Sequence, residues 1–152
     1  FLIVGGTTND LERYKRKIIK KEVASIMFVG HKDRGSVPKY LLASDILLLP
    51  NIPVNNESKY YTSPIKMFEY MAAKKPIVAS DLPSIREVLN NENSLLVKPG
   101  DPLEIKAAIS ALAENKKLAD DISQKAFNDV QKYTWDKRAT KIIKFIEEIC
   151  AE

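Results

Sequence analysis

Five short apolar runs recur along the chain and constrain its fold more than any other feature: Phe1 to Val4, Ser25 to Val29, Ile46 to Leu49, Ile77 to Ala79 and Ser94 to Val97. Each is continuous rather than alternating, and most end in Gly, Pro or Asn, the pattern of a parallel strand buried on both faces. Helical periodicity fills the gaps. Leu11, Tyr14, Ile18 and Ile19 share one face of a first helix, and Tyr40 and Leu41 sit in a short second one opened by Pro38. Ile65, Phe68 and Ala72 mark a third, and Ile85 and Val88 a fourth after Pro83. Strand and helix in strict turn imply right-handed crossovers and an open α/β sheet with helices on both faces.

After the last strand the pattern becomes wholly helical. Asp101-Pro102-Leu103-Glu104 offers an acidic N-cap, a proline at the first helical position and a glutamate three residues past the cap,. The helix it starts turns Ile105, Ala108, Ile109 and Leu112 inward, and Leu118, Ile122, Ala126 and Val130 continue as a second. Thr134 caps a third, whose Ala139, Ile142, Ile143, Ile146 and Ile149 form an apolar stripe expected to close the same core, a partner domain being the lesser use,.

Length and composition narrow the class. At 152 residues the chain suits one domain, and its 45% hydrophobic and 29% charged content excludes disorder and fibrous repeats,. Cys150 is the single cysteine and His31 the single histidine, which excludes a disulfide framework and a Cys/His zinc site,. The net charge of +4 is too mild for a dedicated nucleic-acid binder,. No apolar run is long enough to span a bilayer and no signal peptide is present, so a cytoplasmic location is expected. Without an initiator methionine, the chain reads as a processed protein or a piece of a longer one.

Chemistry concentrates around one loop and the helix after it. The stretch from Pro50 to about Thr62 is longer than the roughly 4–6 residues usual for such connections, and it leaves the carboxyl end of a strand, where open α/β sheets bind ligands. Next comes Ser63-Pro64-Ile65-Lys66-Met67-Phe68-Glu69. Ser63 is placed to cap the helix and Pro64 to fit its first turn, leaving backbone N–H groups and the positive dipole end facing the loop. Lys66 adds a cation that favours phosphate. Glu69, three residues on, shares that face and leans toward the N-terminus. Phosphate needs donors and a ribose diol needs an acceptor, so a nucleoside diphosphate fits. From spacing alone, an ordinary capped helix with a weak Lys66–Glu69 surface pair ranks ahead of that reading.

Ser63 to Ser80, with Leu48-Leu49-Pro50 before and Asp81 to Leu89 after, resembles the donor-binding core of the retaining glycosyltransferases of group 1. Val29-Gly30-His31 with Val37 to Leu41, Ala43 to Pro50, and Ser94 to Pro102 agree in the same order, so the resemblance covers nearly the whole chain and reverses the ranking. It implies a GT-B enzyme whose C-terminal, Rossmann-like domain is represented by residues 1–152. It also implies a UDP-, GDP- or ADP-type nucleotide-sugar donor, no cofactor and no essential metal. Glu69 would hold the nucleotide ribose; Ser63, Pro64 and Ile65 would turn amides to the diphosphate beside Lys66; Gly30, His31 and Lys32 would meet the base.

Two departures from the family pattern follow. Seven residues before Glu69 separate it from Tyr61, where many members carry a glutamate that contacts the donor sugar. Tyr60, Tyr61 or Thr62 could supply hydroxyls there instead, with Glu57 reaching in from the loop. The family's first strand and helix, and its acceptor-binding N-terminal domain, have no counterpart. The chain alone is therefore expected to bind donor weakly and to transfer poorly, with the acceptor glycan or lipid-linked glycan held elsewhere. Strands Phe1–Val4 and Ile46–Leu49 are expected either to pair directly or to leave a gap filled by another chain.

Two other classes compete. A non-catalytic α/β nucleotide-binding module would share the alternation, and a nicotinamide-binding domain would need the Gly-x-Gly-x-x-Gly that Gly5-Gly6 does not complete,. The basic run Arg13, Lys15, Arg16, Lys17, Lys20 and Lys21 reads first as a solvated face and second as a peripheral contact with anionic lipid.

Overall fold

A computed structural model describes residues 1–19 and 25–150, which fall into two compact units, Phe1–Ala43 and Ser44–Glu152. The first holds β1 (Leu2–Val4), α1 (Thr8–Ile19), β2 (Met27–Gly30) and α2 (Val37–Ala43). Strands β1 and β2 are parallel, with Leu2 opposite Met27 and Ile3 opposite Phe28. Helix α1 begins where Thr7 and Asp10 bond reciprocally, the Asp10 N–H donating to Thr7 Oγ1 (3.2 Å) and the Thr7 hydroxyl to Asp10 Oδ2 (2.7 Å),. Those bonds from Thr7 hold the Asp10 carboxyl below the usual range.

Phe1, Leu2, Ile3 and Met27 are exposed, contrary to strands buried on both faces. A two-stranded sheet with one helix against β2 has only one face covered,.

The second unit holds β3 (Leu47–Leu49), α3 (Asn56–Tyr60), α4 (Ile65–Ala72), β4 (Ile77–Ser80), α5 (Pro83–Arg86), β5 (Leu95–Val97), α6 (Pro102–Glu114), α7 (Lys116–Val130) and α8 (Trp135–Cys150). Its sheet is parallel in the order β3-β4-β5. Strand β4 is central and wholly buried. Because side chains alternate across a strand, Ile77 and Ala79 enter one cluster with Leu49, Met67, Met71 and Ile85, while Val78 enters another with Val97, Ala108 and Leu112,. Helix α7 serves both, sending Ala126 to the first and Ile122 to the second.

The Asp101 cap forms as expected, accepting from the N–H groups of Leu103 (2.9 Å) and Glu104 (3.3 Å). Glu104 turns its own carboxylate to the Lys98 N–H, at 2.6 Å.

Strands β1 and β3 belong to different sheets. Two expectations change. In α4 the buried line is Met67 and Met71; Ile65 is 60% exposed and Ala72 is exposed. Both phases read as apolar in the sequence, and packing into the cluster with Leu49, Ile77, Ala79 and Ala126 selects the methionines. The α8 stripe does not close this core: every residue from Gln131 to Cys150 is exposed.

Helix α4 ends with Ala73 as its C-cap, and Lys74 follows in the left-handed region at φ 54°. A side chain there is disfavoured, and the Lys74 Nζ recovers only a cation–π contact 5.8 Å from the Phe127 ring centre,. Lys74→Gly is expected to raise stability by about 0.5–1 kcal/mol, read as a melting point about 1–4 °C higher. An unchanged or lower melting point would contradict the strain.

Candidate functional site

The loop after β3 is built rather than slack. The Asn51 N–H turns back to the Leu49 carbonyl (3.0 Å). The amides of Val54 and Asn55 both donate to Ser58 Oγ (2.8 and 3.0 Å), and the Ser58 N–H donates to Asn55 Oδ1 (2.8 Å). This reciprocal cap starts α3, a helix the sequence analysis read as loop, which packs against α5,. The Tyr61 N–H (2.9 Å) and the Thr62 hydroxyl (3.2 Å) then both donate to the Glu57 carbonyl. Thr62 thus ties the loop to itself. Tyr61 is left 82% exposed, its ring centre 6.4 Å from that of Tyr60, over which sits Lys59.

The start of α4 corrects one assignment. Pro64, at φ −68° and ψ 126°, is the N-cap, and no side chain caps the helix. Ser63 lies one residue too early for its hydroxyl to reach the first-turn amides. The Met67 N–H bonds the Pro64 carbonyl (3.0 Å). The N–H groups of Ile65 and Lys66 have no acceptor among the described residues. Uncapped amides with the helix dipole behind them form a ready anion site.

Lys66 is exposed and Glu69 half-buried, and among the described residues neither forms an ion pair with the other or with any third group. The ordinary surface pair is therefore not made. Cation, amides and carboxylate stand on adjoining turns without protein partners. Burial first, and then the Glu69 charge, raises the neighbouring Tyr70 phenol above its usual range.

Tyr61, Thr62, Ser63, Pro64, Ile65, Lys66 and Glu69 are thus gathered at the loop and first turns of α4. Gly30, His31 and Lys32 lie in the other unit, at the carboxyl end of β2. Gly30 sits at φ +77°, and a Cβ there would lie 3.3 Å from Leu11 Cδ1, so no other residue fits without strain,. His31 is exposed and Lys32 half-buried. Asp33 after them starts the turn into α2, accepting from the Ser36 N–H (2.9 Å) and hydroxyl (2.6 Å), bonds that lower its pKa.

Two groups escaped the sequence analysis. The hydroxyls of Ser80 and Ser84, at the carboxyl end of β4 and the start of α5, are buried without a hydrogen-bond partner among the described residues. Beside them Asp81 and Arg86 form a bidentate pair that lowers the carboxyl pKa and raises that of the guanidinium,. Small polar residues after a strand are too common for the sequence to single these out.

The family model for glycosyl transferases group 1 matches residues 1–115. The chain belongs to this family. A phosphatidyl-myo-inositol mannosyltransferase of Mycobacterium leprae is 32% identical over 128 residues, 84% of this chain and 33% of the relative. Among solved structures, HepE of Anabaena in complex with UDP superposes with a TM-score of 0.82 at 18% identity, covering 97% of this chain and 40% of that one. The same protein with UDP-glucose gives 0.79 at 18% identity and the same coverages. The group 1 chain described here therefore spans about a third of the length of that curated relative and has the fold of the second. Its α/β architecture, with parallel strands, flanking helices and a helical C-terminal segment, accords with the resemblance seen in the sequence.

Proposed function

We propose that this chain is the donor-binding half of a retaining glycosyltransferase that uses a nucleotide-diphosphate sugar in glycan or glycolipid assembly. One observation carries the reading: the uncapped amides of Ile65 and Lys66, the Lys66 ammonium and the Glu69 carboxylate stand on adjoining turns of α4 without partners among the described residues. The amides and Lys66 would face the diphosphate, and Glu69 the ribose. The UDP and UDP-glucose complexes of the superposing fold support a donor of this class.

The mechanism expected of such a site is stabilisation of the departing nucleoside diphosphate. Negative charge grows on the β-phosphate as the glycosidic bond breaks, and fixed dipoles with a cation favour that state over the bound ground state. Tyr61, exposed at the approach to α4, would offer a phenolic hydroxyl to the sugar. The acceptor would be held outside this chain, leaving it able to bind donor but not to complete transfer.

Titration of UDP, GDP and NADH tests this. Saturable binding of a nucleoside diphosphate, weakened by salt and by Lys66→Ala, is expected; preference for NADH, or no binding of any, would reject the reading. A cytoplasmic site of action remains part of the proposal. No helix among the described residues is long and apolar enough to cross a membrane.

Lipid contact through α1 has weaker support. Arg13 pairs with Asp10 and Arg16 with Glu12, each at 3.2 Å, which neutralises part of its basic face. Lys20 and Lys21 lie outside the described residues.

A further inference from the structure

Helix α4 carries the candidate site on a short rod that its own sequence holds loosely. Its first turn has no side-chain cap, and Ile65 in that turn is 60% exposed. Met67 and Met71 are its buried residues. They lie on one line, and thioether side chains adapt to a gap instead of fixing an orientation. A helix pinned along a single line can roll about it. At about 100° per residue, Phe68 and Tyr70 fall on either side of that line, and both pack against the cluster beneath,. They resist the roll.

Phe68 does so with support from outside the helix. The Tyr133 ring stands against it, with ring centres 5.3 Å apart and planes tilted by 52°, a separation at which aromatic pairs attract beyond the area they bury. Advancing along α4 from this contact to Lys74 retreats along α7 to Phe127, whose ring lies beneath the Lys74 Nζ. The two helices are therefore antiparallel, and Tyr133, just past the end of α7, braces the part of α4 nearer the uncapped amides. Its own backbone is held in a bonded turn. The Tyr133 N–H donates to the Val130 carbonyl (2.9 Å), the Lys132 N–H to that of Asp129 (3.1 Å), and Lys132 Nζ to the Asp129 carboxylate (3.2 Å). The Tyr133 hydroxyl has no hydrogen-bond partner among the described residues, so the ring alone supplies the brace.

We infer that Tyr133 is a positioning residue for the donor site, an inference that rests on the donor-binding reading of α4 and adds to it a residue far away in the sequence. Tyr133 acts through Phe68, the chain neighbour of Glu69. A roll of α4 would swing Lys66, Glu69 and the first-turn amides off the directions in which a bound diphosphate and ribose need them. Without the brace, a nucleoside diphosphate must select the aligned state of α4, and its affinity falls by the fraction of time that state is occupied.

Tyr133 keeps 41% of its surface exposed, so truncating it seals no cavity in the core and circular dichroism should show an intact fold. Calorimetric titration of UDP and GDP into the 152-residue chain should give an affinity about fivefold lower for Tyr133→Ala, with Tyr133→Phe within about twofold of wild type,. Lys74→Gly, which deletes the contact at the other end of α4, should leave the affinity unchanged. Hydrogen exchange adds a readout that needs no nucleotide. The Met67 amide, bonded to the Pro64 carbonyl at 3.0 Å, should lose protection in Tyr133→Ala relative to the amides of β4 and keep it in Tyr133→Phe,. A wild-type chain that binds neither nucleotide would reject the donor site itself, and the role of Tyr133 with it. A wild-type chain that binds, with Tyr133→Ala equal to it, would reject the positioning role alone, as would protection lost evenly across α4 and β4.

Discussion

Glu69→Ala is expected to weaken nucleoside diphosphate binding by roughly 10- to 100-fold with the fold intact, the loss associated with hydrogen bonds to a charged group. The carboxylate can accept from two ribose hydroxyls at once; an amide oxygen accepts fewer and weaker bonds, so Glu69→Gln should fall between. Calorimetric titration with UDP and its 2′,3′-dideoxy analogue separates this role from a general electrostatic one. If Glu69 holds the diol, the analogue binds wild type and Glu69→Ala about equally. Because a surface carboxylate repels a diphosphate, a bystander would instead make Glu69→Ala bind slightly tighter, and that result would remove the acid from the site.

The largest stability effect is expected at Asp129. Its side chain is only 12% exposed and accepts from Lys125 Nζ (2.8 Å), Lys132 Nζ (3.2 Å) and Asn93 Nδ2 (3.1 Å). Asn93 is itself buried and closes the turn before β5, its Oδ1 accepting from the Asn90 N–H (2.8 Å). One carboxylate thereby pins α7 to the entrance of β5. Asp129→Ala would strip Asn93 of a partner in a buried place, at a cost of about 2–3 kcal/mol, read as a lower urea midpoint at unchanged slope.

The same group makes stability depend on acid. Its bond from Lys125 is the main cause of a pKa lowered from 3.8 to about 2, opposed by burial. The unfolded chain takes up this proton first, so the stabilisation is complete above the unfolded value and is lost as pH falls through about 2. It amounts to roughly 2 kcal/mol. Asp129→Asn should flatten that acid limb in chemical denaturation; an unaltered limb would mean another carboxylate controls it.

The sequence disclosed the parts whose chemistry is local. Asp101-Pro102 marked the start of α6 because a cap and an N1 proline act within one turn. The run that became β4 was visible because burial on both faces leaves no polar alternative, whereas β1 and β2 read the same way without being so covered. What stayed hidden depended on distant partners. Ser63 and Pro64 both suit a helix start, and only the backbone of Pro64 decides which one caps. Ile65 and Met67 are equally apolar, and packing against α7 and β3 chooses between them. The Asn55 and Ser58 pair that builds α3 was readable in principle, but a five-residue helix has no periodicity to notice. Amphipathicity in α8 announced that a face needs cover without saying whose surface provides it. In the candidate site, Lys66 and Glu69 were singled out from spacing and resemblance, yet only the folded structure shows them without partners among the described residues.

Neither hydrophobic cluster recruits a side chain from residues 50 to 63. Exchanging Tyr61, which is 82% exposed, therefore costs the scaffold little, and on the proposed function it would retune which sugar is accepted while the framework beneath stays constant. A saturation library confined to Tyr60 and Tyr61 should retain folded protein in most clones and, on the proposed function, differ among them chiefly in donor choice.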